Sequence, residues 1–295
     1  MQNQIPATGA HESPYDKRTV QHGDMQTFAG VPLIKGGYDY LPTEILMQAK
    51  VGICTAISLI QNANKAIGRP FSDGFQYLMQ KRQDGNWIEG SSIFSALKVG
   101  KNIGFLPIEL WTFTTEADKE LPYAQYIAKL QAVPEATIQN LILKCSDYKL
   151  TGYAQVNETD PQAIAKAICD SRAGVLFRFA VGKEWYTAVD GTVTWDPKFI
   201  NPLRAPQVVI SGHAIIGAKF DYTVRPDITL ANTWGVPWNM KGWGDIIFNL
   251  YRPMECWIPY FGLTEAQTEE LKQKLTQQIG IMQKLLALWK LLRGK

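Results

Sequence analysis

Cys54, His213 and Asn232 are a thiol, an imidazole and an amide in chain order, and Gln48 stands six residues ahead of the thiol. Cys54 lies where MQAKVGIC gives way to a helical pattern. At a helix N-terminus the unsatisfied backbone N–H groups carry a partial positive charge, which favours the nucleophilic thiolate. Gly52 allows a tight turn between Gln48 and Cys54, so the Gln48 amide and the Cys54 backbone N–H can share an oxyanion. His213 is the only histidine beyond the first thirty residues and sits in the apolar run SGHAIIGAKF. Nineteen residues on, Asn232 opens NTWGVPWNMKGWGDI, where an amide can orient an imidazole and a Trp ring can shield the contact. Each has a blander use: a free Cys on an apolar helix face is most often core, and so is a lone His in an apolar strand. Taken as a set, they could attack an acyl carbon and hold the resulting oxyanion.

Positioning such a set requires two kinds of scaffold, and the chain supplies both. Between about 54 and 112 the pattern is helical: CTAISLIQNANKAIG runs into a Gly-Arg-Pro stop, FSDGFQYLMQKRQDG follows, and SSIFSALKVGKNIG ends at Gly104. From 174 to 261 come short apolar runs such as GVLFRFAV, QVVISGHAIIGAKF and DIIFNLYRP, separated by Gly, Pro and Asp. The stretch 115–170 reads as two helices, EATIQNLILKC and DPQAIAKAICDSR, among loops. Helices followed by strands argue for an α+β fold with a helical lobe facing a sheet or barrel lobe, and a ligand cleft between them.

Two ends fall outside that body. Residues 1–30, rich in Gln, Gly, Thr and His, lack periodicity and read as a flexible extension or short leader. At the other end, 263–295 reads as an amphipathic helix with Leu275, Ile279, Met282, Leu286 and Trp289 on one seam. Leu285, Leu288 and Leu292 widen its apolar face, so it is expected to self-associate or bind a helical partner through 264–294, with a membrane surface as the other candidate.

Composition removes several classes. The net charge is only +3, and residues 264–295 alone carry six Lys/Arg against three Asp/Glu, so the body has no basic stripe and nucleic acid is not an expected partner. Four scattered cysteines, none at CxxC spacing, make neither a disulfide framework nor, with three histidines, a zinc site. Neither metal nor cofactor is expected. The first residues lack the basic and apolar regions of a secretory signal and no apolar run reaches 18 residues, so a cytoplasmic location is expected.

In their order and company these motifs resemble the papain-like cysteine peptidases. QAKVGIC is similar to that family's Gln-to-Cys segment, SGHAIIGAKF to its His strand, and NTWGVPWNMKGWGD to its Asn-Ser-Trp-Gly motif. EGSSIFSALKVGKNIG resembles its Gly-Gly substrate-binding strand and following helix, and GGYDYLP the start of its mature enzymes. The resemblance covers about 31–261 and implies a peptidase domain at 31–262. It implies a two-lobed fold, with a helical lobe carrying the Cys and a β-barrel-like lobe carrying the His and Asn.

It also implies roles. Cys54 would be the nucleophile, His213 the general base and later acid, Asn232 the orienter, Gln48 the oxyanion donor, and Trp234 the cover of the His–Asn bond. Gly90 and Ser91 would pair with an extended protein or peptide substrate, while Ile93, Phe94 and Ala214 would line the pocket for the side chain two residues before the cut. The chain departs from the family at Val51, where secreted members carry a disulfide cysteine, at Thr55, and at Ser91 in place of the second Gly. About thirty residues before the mature-like start are too few for the usual helical inhibitory pro-domain, so control is expected to come from elsewhere. Two other functions use the same fold: a catalytically silent binding or structural module, and an amidase or acyltransferase.

Overall fold

Helix α1 (Cys54–Ile67) is the element around which the rest is arranged, and its first ten residues, Cys54 through Ala63, are all buried. A helix enclosed on every side belongs between packed layers rather than on a surface. Two of its polar members are bonded across the core: Thr55 donates to Gln80 at 2.8 Å, and Gln61 accepts from the Leu46 N–H at 2.7 Å. The computed structural model describes residues 9–14, 19–21, 38–39, 44–171, 174–181, 185, 192–193, 211–221, 227–239, 241–247 and 253–262. The expected C-terminal helix at 263–295 lies outside them, as does most of the N-terminal thirty.

On one side of α1 lie α2 (Asp73–Asp84), α3 (Ile93–Asn102), α4 (Tyr123–Gln131) and α5 (Glu135–Lys144). Their ends follow local chemistry. Ser72 caps α2 by accepting from the Phe75 N–H at 3.0 Å, and Ser92 caps α3 by accepting from Ser95 at 3.0 Å. Gly68 ends α1 in the left-handed region. Ile57, Phe75, Leu78, Val99, Tyr126 and Leu130 pack into the core of this lobe. Helix α4 was not anticipated. Of its nine residues, Tyr126, Ile127 and Leu130 are buried.

The other side is a sheet of β4 (Leu150–Gln155), β5 (Val175–Val181), β6 (Thr192–Val193), β7 (Ser211–Asp221), β8 (Asp227–Ala231), β9 (Trp243–Ile247) and β10 (Glu255–Phe261). Its order is β4-β10-β5-β7-β8-β9-β6, with β2 (Tyr38–Asp39) on β7. The end strands β4 and β6 do not pair among the described residues, so the lobe is an open sheet rather than a closed barrel. All seven residues of β5 are buried, because α1 and α6 (Pro161–Ser171) both pack against it. Burial on both faces explains why GVLFRFAV reads as a continuous apolar run. Its one charge, Arg178, is paired with Glu255 at 2.6 Å. A further core joins the lobes, placing Cys54, Leu59, Ile93 and Phe94 against Leu176, Ala231 and Trp257. Among the described residues no helix is long and apolar enough to cross a membrane.

Candidate active site

The segment leading into α1 is irregular, yet most of its backbone donors are held. Gln48 N–H donates to Thr233 O at 2.9 Å, Lys50 to Lys119 O at 3.0 Å, Val51 to Gln48 O at 3.3 Å and Ile53 to Val51 O at 2.9 Å. Gly52 N–H donates to the Glu89 carboxylate at 2.8 Å. A loop pinned residue by residue delivers the next side chain, Cys54, to one place. Ile53 gives α1 no side-chain cap and its first turn holds no acidic residue, so nothing within the helix itself offsets its positive end at Cys54.

The second lobe meets this loop through the Asn232 motif. Asn232 follows β8 directly, is fully buried, and its N–H donates to Gly242 O at 2.9 Å. The next residue, Thr233, donates its hydroxyl to Gln48 Oε1 at 2.6 Å. With that oxygen occupied, the Gln48 amide presents its nitrogen as the donating end, the polarity an oxyanion needs. Met47 pairs with Trp234 in a bridge, and Gly235, at φ 75, leaves room for Met47 where a Cβ would come within 2.9 Å of it. Trp234 is 4% exposed and meets Trp238 edge to face at 6.1 Å. His213 and Ala214 lie on β7, opposite Phe179 and Arg178 of β5, and β7 is also the strand against which α1 packs. Ile216 pairs with Ala231, so Asn232 leaves β8 toward the end of β7 that carries His213. Gln48, Cys54 and Asn232 are thus brought to one seam, with the strand of His213 beside it.

Lys119 is a residue that no motif pointed to. It is 2% exposed, donates to Met47 O at 3.1 Å and to Glu116 at 2.8 Å, and pairs with Asp73. Burial opposes its charge, but the carboxylates of Asp73 and Glu116 outweigh that and hold the ammonium above its ordinary range. Lys119→Met is expected to cost about 3 kcal/mol in chemical denaturation, as removing one member of a buried pair strands the other. A lysine whose folded pKa is raised stabilises fully below its unfolded value and loses that contribution as pH rises through the folded one. The difference between wild type and Lys119→Met should therefore be constant through neutral pH and shrink only above about pH 10.4.

The N-terminal segment enters the cleft. Strand β1 (Ala10–His11) runs parallel to β3 (Ser91–Ser92), and the Ser91 N–H donates to Gly9 O at 2.8 Å. Gly9 crosses between Gly52 and Gly90: a Cβ on Gly9 would strike Gly52 O, and one on Gly90 would strike Gly9 O. Ser13 N–H then donates to Glu255 Oε1 at 3.0 Å, tying the segment to the sheet lobe. Beneath this crossing Cys54 has no exposed surface. The edge assigned by resemblance to a substrate is thus held by the chain's own arm.

Ser91 also donates its hydroxyl to Asp84 at 2.9 Å, which accepts from Ser95 at 2.6 Å. Ile93 is 1% exposed in the core with Cys54, and Phe94 meets Trp257 at 5.5 Å and Tyr153 edge to face at 5.9 Å. A cavity of about 350 Å³ beside Phe94 has one wall made by His11, Glu12 and Pro14 of the arm and another by Asp84, Ser95 and Lys98. Two other described thiols are unsuited to attack. Burial pushes Cys145 up to about 12, and it pushes Cys256 well above the ordinary range.

No protein-family model and no curated protein matches the chain. Solved structures do. Xylellain, a cysteine protease from Xylella fastidiosa, superposes with a TM-score of 0.66 over 86% of this chain and 95% of its own, at 17% identity. Digestive procathepsin L 3 of the Tenebrio molitor larval midgut does so with a TM-score of 0.58 over 79% and 71%, at 16% identity. The bromelain protease of Ananas comosus, solved with the E64 inhibitor, gives 0.53 over 78% and 100%, at 15% identity. At such identities the likeness is one of fold, and the chain has the papain-like fold.

Proposed function

We propose that the chain is a cysteine peptidase in which Cys54 attacks the carbonyl carbon of an extended peptide, with His213 as base and then acid. The observation that carries this reading is the convergence of Gln48, Cys54 and Asn232, joined by the Thr233–Gln48 hydrogen bond across 185 residues of chain. The thiolate adds to the carbonyl, and the oxyanion is taken by the Gln48 amide and the Cys54 N–H. His213 protonates the leaving amine, and water activated by the same imidazole releases the acyl-enzyme. Asn232 aims the ring. Dipeptidyl fluorogenic substrates, with and without a thiol alkylator, test the reaction: hydrolysis abolished by alkylation supports it, and alkylation-insensitive hydrolysis sinks it. Ile93 and Phe94 are apolar where they border the Cys54 core, so Leu, Val or Phe two residues before the cut should turn over faster than Arg. The reverse order in a substrate panel would remove that pocket assignment.

The complete burial of Cys54 favours a second reading, a silent module whose cleft is permanently filled. The arm distinguishes the two. As a reversible plug, it gives a latent peptidase that becomes active when Gly9–Pro14 leaves; as a fixed strand, it leaves no activity to release.

A further inference from the structure

The backbone N–H of Gly52 is buried two residues before the nucleophile and is served by a side chain rather than by secondary structure. A buried donor left unserved costs about 1–3 kcal/mol, so this acceptor has consequences for the loop. It is Glu89 Oε1, at 2.8 Å, from the residue that precedes the substrate strand. The approach is built in. A Cβ on Gly52 would lie 2.8 Å from Glu89 Cγ and 3.1 Å from Oε1, so a side chain here would push the carboxylate from its present place.

Glu89 is itself held from behind by α2. The Gly90 N–H donates to the Tyr77 hydroxyl at 3.0 Å, and Gly90 O accepts from Lys81 Nζ at 2.7 Å. Lys81, whose side chain has no exposed surface, pairs with Asp84 at 3.2 Å. A continuous link therefore runs from α2 through Gly90 and Glu89 to Gly52 and on to Cys54. At the neighbouring position Val51 is completely buried and offers no thiol for a covalent tie.

We propose that Glu89 is a positioning residue that clamps the nucleophile loop to the substrate strand, fixing Cys54 relative to the carbonyl of a bound peptide. This rests on the peptidase reading above. Both halves of the reaction geometry meet at this one bond: the strand orders the peptide and the loop carries the thiol. Misplacing reacting groups by an ångström costs on the order of 100-fold in rate. Burial raises the Glu89 carboxyl above its usual range, and the Gly52 N–H pulls it back.

Three variants of the full chain test the clamp. Glu89→Gln keeps an oxygen acceptor at the same reach, Glu89→Met keeps the length without the acceptor, and Glu89→Asp keeps the charge one methylene short. Per titrated active thiol, Glu89→Met and Glu89→Asp should lose about 10- to 100-fold in kcat with KM changed less than about threefold, while Glu89→Gln retains most of kcat. A residue that only stabilised the fold would lower the yield of titratable thiol and leave kcat per thiol alone. In parallel, the rate of Cys54 alkylation by iodoacetamide should change in the Met and Asp variants and not in Gln. If neither wild type nor the arm-displaced Gly9→Val variant hydrolyses peptide, the peptidase reading fails, and the alkylation rates alone judge the clamp. Should Glu89→Met not fold, Glu89→Asp decides. Wild-type kcat and alkylation rate in whichever of the two folds would overturn the proposal.

Discussion

Cys54→Ala is expected to reduce peptide hydrolysis by at least about 10⁴-fold while leaving the fold intact, since removal of a catalytic nucleophile leaves only binding and oxyanion contributions. The substitution deletes one sulfur from a site where the helix, the loop and the core are otherwise unchanged. His213→Ala should be comparably severe, because it removes the base carried by β7, a strand that packs against α1. Asn232→Ala should cost less, as an imperfectly aimed imidazole still takes and returns protons. Cys145→Ala and Cys256→Ala should stay near wild type per folded molecule, consistent with thiols that burial keeps protonated. Fluorogenic turnover normalised to folded protein reads all five variants. Loss at Cys145 or Cys256 equal to that at Cys54, or near-full activity in His213→Ala, would dismantle the assignment.

Gly9→Val should raise kcat/KM by about tenfold or more. The side chain introduced would collide with Gly52 O, so the arm must leave the crossing and the Ser91 N–H is released to an incoming peptide. If the arm occupies the cleft nine-tenths of the time, only a tenth of the molecules can bind substrate, and apparent affinity falls by that same factor. Deleting residues 1–14 should match the point variant and also remove the Ser13 bond to Glu255. Progress curves at substrate concentrations below KM give the comparison directly. Unchanged or reduced kcat/KM in both variants would show that the arm supports the site rather than occluding it. Inactivity of wild type and both variants alike would favour the silent module.

Much of the helical lobe was legible because its signals are local. Ser72 and Ser92 cap helices three residues upstream of the N–H they serve, and Gly68 and Gly85 adopt left-handed caps just past the last turn. Strand β5 was legible from its apolar run, interrupted only by Arg178. Strand β4 was not. LTGYAQ has one end buried and its middle partly exposed, and it is a strand only because β10 offers it an antiparallel partner. The short β1 is more extreme, since two residues carry no periodicity at all and their conformation is set by the free edge at Ser91–Ser92.

Residue types and their order determined the candidate chemistry, because which functional groups the chain carries, and in what order, is fixed by residue identity, whereas burial and neighbours set which of them is reactive. The same holds for the helix that begins at Cys54, whose pattern is contained in consecutive residues. The tertiary structure alone decided what holds those groups in place and what covers them. Gly52 meets Glu89 across 37 residues, Met47 meets Lys119 across 72, and Gln48 meets Thr233 across 185. Gly9 finds its place between Gly52 and Gly90 in the same way. Hydrogen bonds and close approaches of this kind depend on where two distant backbone paths run relative to each other. That relation is fixed by the packing of α1 between the lobes, and no short window of sequence contains it.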